Sequence, residues 1–176
     1  MKTLFLTFAL VCFSFIGMAQ AELSIAVVSV EDIYNSSKAA KSIKSQQNKL
    51  TDEFEAQFKK ETDKLEARQK ELQKQSADFS PDELKTKGKE FQKQVVEGRE
   101  KLQKKRADLQ KALLKAEADL QRHIIDVSED IAKEKNYDLV VPKQSTIVVN
   151  TNLDITPEVL KRLDAKVTNI KVTVGK

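Results

Sequence analysis

Between Lys38 and Lys135 the chain is almost entirely Lys, Glu, Gln, Ala and Leu, interrupted once at Ser76-Ala77-Asp78-Phe79-Ser80-Pro81. These residues favour helix. The stretch therefore predicts two antiparallel helices standing out from a small body as an arm. At 1.5 Å per residue the outgoing helix, Lys38 to Gln75, would be roughly 57 Å long and the returning one, Pro81 to Lys135, roughly 82 Å. The return is marked locally: Ser80 caps, Pro81 suits the first helical position, and Glu83 completes a capping box. Asn136 is a left-handed stop.

The apolar positions give the hairpin a register. Folding back about Asp78 sets Leu72 against Leu84, Leu65 against Phe91, Phe54 against Leu102, Ile43 against Leu113 and Ala40 against Ala116, with Phe58 opposite Gly98. This pattern favours one antiparallel coiled coil. Ile43, Phe54 and Leu65 are eleven apart, whereas Leu50, Phe54 and Phe58 are four apart. Such stutters unwind a left-handed supercoil and predict nearly straight helices. The seam is thin, so the arm should bend. Gly88 and Gly98 are either hinges or points of close packing.

What flanks the arm reads as body. Lys2, the apolar run Leu4–Phe15 and Ala19-Gln20-Ala21 form a signal peptide, residues 1–21, followed by export. The apolar run is shorter than the roughly 20 residues a bilayer span needs. Beyond it there is no cysteine, so no disulfide supports the fold. Leu23–Val30 is a strand, and Glu31-Asp32 begins a short helix broken by Asn35-Ser36-Ser37, where a serine caps the next helix. After the arm, Asp138–Pro142 and Thr146–Val149 read as two strands, and Thr156-Pro157 starts a helix carrying Val159, Leu160 and Leu163. Ile170–Val174 alternates like a strand and either pairs with the body or hangs free. Leu120, Ile124, Ile125, Val127 and Ile131 make the arm's base apolar, to be buried on the body or on another subunit.

The expected class is α+β, mostly α. The body is discontinuous, 22–37 with 117–166; the arm is 38–116 and the tail 167–176. A body of this size has a marginal core, so oligomerisation is the natural remedy, with Ile25, Val27, Val140, Val141, Ile147 and Val149 as candidate interface residues.

Charge is uneven. From Lys85 to Lys115 there are 11 basic and 4 acidic residues, a net of +7, whereas 116–176 has 9 basic and 10 acidic residues, a net of −1. A positive arm attracts acidic polypeptide, anionic lipid or nucleic acid, and export argues against nucleic acid. The plainer reading is a solvated face. Nothing resembles a nucleophile, a metal-ligand set or a phosphate loop, and one histidine, His123, makes no ligand set. An enzyme is not expected, nor a cofactor. Phe58, facing a glycine, and Phe79, alone at the tip, are the aromatic candidates for contact with a partner. Lys85, Lys87, Lys89, Lys93, Arg99, Lys104, Lys105 and Arg106 are the basic ones.

Ile25-Ala26-Val27-Val28, the long arm, Tyr137-Asp138-Leu139-Val140-Val141 and Asp154-Ile155-Thr156-Pro157-Glu158-Val159-Leu160, in that order, resemble the Skp/OmpH-like periplasmic chaperones. The tail after Lys166 is longer than that family's usual ending. The resemblance implies a homotrimer with a small β-rich hub and three arms enclosing a cavity. It implies an ATP-independent holdase for unfolded outer-membrane β-barrel precursors. The arm's positive charge, apart from the resemblance, makes anionic lipid or lipopolysaccharide a further candidate partner. A structural coiled-coil spacer of the cell envelope is the alternative, and an exported basic nucleic-acid binder is a more distant one.

Overall fold

The computed structural model describes residues 23–175; the expected signal peptide lies outside them. In chain order the elements are β1 (Ile25–Val28), α1 (Val30–Ser36), α2 (Lys38–Lys74), α3 (Pro81–Lys135), β2 (Leu139–Pro142) and α4 (Thr156–Lys166). Two serines punctuate the first half. Ser29 Oγ accepts from Asp32 N at 3.1 Å and starts α1. Ser37 ends α1 and caps α2, its Oγ accepting from Ala40 N at 3.2 Å. The N–H of Lys38, one of the donors every helix start leaves unmatched, instead donates to Asp164 Oδ1 of α4 at 2.7 Å.

Contacts between α2 and α3 run in opposite chain order. Lys105 Nζ donates to Gln57 Oε1, and Gly98 lies against Glu61 and Leu65. The register differs from the expected one: Gly98 is met by Glu61 and Leu65, residues further along α2 than Phe58. Helical side chains lean toward their own N-terminus, which accounts for about two residues of the shift, and the rest is a slip of up to about one turn that so thin a seam permits. The short 3₁₀ turn Ser76–Asp78 joins the helices, and the capping box is present: Ser80 N donates to Glu83 Oε2 at 2.8 Å and Glu83 N to Ser80 Oγ at 3.4 Å. Asn136 ends α3 at φ 55°.

The base of α3 turns a single stripe into the body. Ala116, Leu120, Ile124, Val127 and Ile131 are buried, with steps of four, four, three and four residues, one helical face. They pack with Ala26 and Val28 of β1, Ile33 of α1, Ala39, Ala40 and Ile43 of α2, Val159 and Leu163 of α4, Ile155 and Ile170. Within the chain, then, the base is buried on the body. Fully buried side chains such as Leu120, Ile131 and Leu163 stabilise by about 1.5–3 kcal/mol each. The core also draws on the first turns of α2 and on Ile170.

β1 and β2 pair in parallel, Ile25 with Leu139 through Val28 with Pro142. Asp138 closes the start, its Oδ2 accepting from Ser24 N at 2.8 Å. Thr146–Val149, expected as a third strand, is not one. The other edge of β1 is taken by Asp154 and Ile155, which bridge Val27, and the apolar run does not pair with the outer edge of β2. It stands in a loop between two 3₁₀ turns, Lys143–Ser145 and Thr151–Leu153, clamped by the 2.8 Å ion pair of Lys143 and Asp154.

Candidate functional site

Above the body, the arm is held by half-buried residues only. Leu50, Phe54, Leu65, Phe91, Val95 and Leu102 are each partly covered, and Gly98 is the one residue beyond Ile43 and before Ala112 that is buried. Phe58 is 51% exposed. With Phe54, Leu65, Val95 and Leu102 it lines an open groove of about 380 Å³, which Arg99 and Arg106 also line. The predicted aromatic is therefore brought together with two of the predicted cations.

Phe79 differs from expectation. It is half-buried at the tip, and Lys87 Nζ sits 4.7 Å from its ring centroid, a cation–π pair. Two further cations have partners: Lys93 with Glu97 at 3.8 Å, and Lys105 with Gln57. Lys85, Lys89, Arg99, Lys104 and Arg106 are exposed. The ten candidates thus do not form one site: the eight cations are strung along α3 from the tip downward, Phe79 lies in the turn and Phe58 on α2.

Sequence reading missed Val96 and Leu114, 49% and 59% exposed on α3. Val96 is three residues from Lys93 and from Arg99, so all three share a face. The available signal was that neither residue has an apolar counterpart in the seam. Isolated apolar spots among cations are what such a face offers chemically: many weak contacts, none deep. Among the described residues there is no group of three or more His, Cys, Asp or Glu able to hold a metal ion, and no helix long and apolar enough to cross a membrane.

The interface candidates divide. Val27 is 2% exposed and packed inside its own chain. Ile25, Val140, Val141 and Val149 are half-buried, and Ile147 stands fully in solvent beside Val148, 89% exposed. In the body α4 is locked to α3 by ions. Arg162 makes two 2.7 Å bonds to Glu134 and one of 2.6 Å to Glu158, which also takes Lys135, and Lys166 holds Asp130 at 2.6 Å. Hydrogen bonds from Arg162 to Glu134, from Lys166 to Asp130 and from Lys135 to Glu158 hold all three carboxyls below their ordinary range.

The chain matches the family model described as outer membrane protein (OmpH-like) over residues 24–163. In structure it is similar to a protein of Caulobacter crescentus CB15 classed as an OmpH-like outer membrane chaperone, with a TM-score of 0.81 at 16% identity, covering 89% of this chain and 92% of that one. At that identity the likeness is one of fold. No curated protein sequence matches the chain.

Proposed function

The chain belongs to the OmpH-like outer membrane protein family, whose model spans residues 24–163, and from that premise we propose that it is an ATP-independent periplasmic holdase for unfolded outer-membrane β-barrel precursors. The observation that carries the reading is the arm surface: exposed Val96 and Leu114 set singly, and Phe58 at an open apolar groove, among exposed Lys89, Arg99, Lys104 and Arg106. An unfolded chain presents no fixed overall shape, so its capture cannot depend on one shape-complementary pocket. Scattered apolar and cationic contacts hold it by their number, and because each is weak, release requires no nucleotide.

In this reading the body, 22–37 with 117–166, serves chiefly for assembly, and the arm, 38–116, is an antiparallel hairpin, three copies of which enclose the client. The exposed Ile147 and Val148 support assembly, since a second copy covering them would supply the burial that a single body lacks. Contact of the arm with anionic lipid or lipopolysaccharide would use the same cations.

The test is dilution of a urea-unfolded outer-membrane barrel with and without the protein, followed by light scattering. Suppression of aggregation near one trimer per barrel is expected, weakening as salt screens the cations. Replacing Lys89, Lys104 and Arg106 together by Glu should weaken it at low salt. No suppression at stoichiometric trimer sinks the holdase reading and leaves the envelope spacer.

A further inference from the structure

The segment after α4 lies extended along the base of the arm. It leaves α4 at Val167 (φ −138°, ψ 104°) and alternates inward and outward: Ile170 is 7% exposed and in the core, Val172 and Val174 are half-buried, and Lys171 and Thr173 are exposed. Val174 and Gly175 reach a groove between α2 and α3 whose lining includes Leu50, Phe54 and Leu109. Two residues of extended chain advance about 6.6 Å, close to the roughly 6 Å between residues four apart on a helix. The step from Ile170 to Val172 to Val174 therefore keeps pace with Gln46, Leu50 and Phe54.

Gln46 grips the backbone. Its Nε2 donates to the carbonyl of Ile170 at 2.7 Å, and its Oε1 accepts from the N–H of Val172 at 3.0 Å. A parallel β-strand partner bonds the same two groups, one on either side of a central residue, here Lys171. The helix thus offers one residue's worth of strand edge through a side-chain amide. Ser42 Oγ adds a bond to Asn169 Oδ1. Because the main grip is on backbone, the side chains it tolerates are set only by alternation: apolar toward the groove, anything outward.

We infer that this groove is a binding site for an extended, alternately apolar polypeptide strand, and that Lys171–Gly175 is its resident occupant, displaced when a client strand enters while Ile170 stays in the core. The inference rests on the holdase reading and names the part of the client recognised, since strands of transmembrane barrels alternate apolar and polar residues in this way. A tail that occupies the groove lowers apparent client affinity by the fraction of time it is seated.

The experiment uses the full chain. Val172→Asp together with Val174→Asp weakens the tail's hold while leaving Ile170 in the core. Binding of a urea-unfolded outer-membrane barrel, measured by fluorescence titration, should tighten about fivefold or more, and adding Gln46→Ala to that variant should reverse the gain. In the unaltered protein, hydrogen exchange at the Val172 amide should be slow alone and accelerate when the barrel is bound; this readout stands even where the variant fails to fold. A complex that forms with Val172 still protected, or a folded variant with unchanged affinity, overturns the inference and leaves the holdase reading intact. Failure to form a complex in every variant overturns both.

Discussion

Leu120 has no exposed surface and lies where α3 crosses the body, so Leu120→Ala should cost about 2–5 kcal/mol in urea unfolding. Ser80→Ala at the tip removes a cap and should cost about 1 kcal/mol. That loss should be confined to faster hydrogen exchange in the first turn of α3, because the tip has no core beneath it. Such positions were legible in sequence because their chemistry is local: Ser80, Pro81 and Glu83 sit at fixed offsets, and Asn136 is among the few residues tolerant of φ 55°. Lys87 over Phe79 and Gln46 on the tail were not legible. Both join residues whose approach is decided by how elements lie together, and no spacing rule links position 46 to positions 170 and 172.

At the level of elements, the ends of helices were readable and their mutual register was not. A thin seam of half-buried residues contains too few size-matched pairs to exclude a slip of one turn. The run Thr146–Val149 shows the same limit for strands. Its composition favours an extended chain, but a strand also needs a partner: Asp154 and Ile155 occupy the second edge of β1, and the run does not come to the outer edge of β2. A Cβ at Gly98 would meet Glu61 at 3.6 Å and Leu65 at 3.7 Å, ordinary contact, and one at Gly88 would meet nothing within 4 Å. Close packing therefore requires neither glycine. Gly88→Ala and Gly98→Ala should each stabilise the arm by about 1 kcal/mol, read from urea unfolding; if bending serves large clients, the paired substitution should protect them less well than small ones. The α3–α4 ion network sets a pH response. Asp130, Glu134 and Glu158 are held below their ordinary values of 3.8 for Asp and 4.5 for Glu. Their contribution is thus fully present above that range and lost as pH falls through the lowered values. Melting temperature should drop in acid below about pH 4.5, and Arg162→Gln should flatten that drop by lowering the neutral-pH plateau.

For the molecule as a whole, assembly is the decisive quantity. Native mass measurement should return three copies; a monomer would remove both the interface assigned to Ile147 and Val148 and the enclosure between arms. Ile147→Asp, at a position fully exposed in the single chain, should leave the fold of one subunit unchanged in circular dichroism while shifting the mass toward monomer.

The parallel pairing of β1 with β2 joins residues 114 apart, as in the bond from Ser24 to Asp138. Closing so long a loop at random is slow. Here most of the intervening chain is two helices laid side by side, which returns the ends to one place once the turn at Ser76–Pro81 forms. The arm is then a folding device as well as a surface, and its length is an adjustable variable. Removing equal whole turns from α2 and α3 should leave strand pairing and refolding rate nearly unchanged. Removing them from one helix alone should throw β2 out of reach of β1 and slow or abolish refolding.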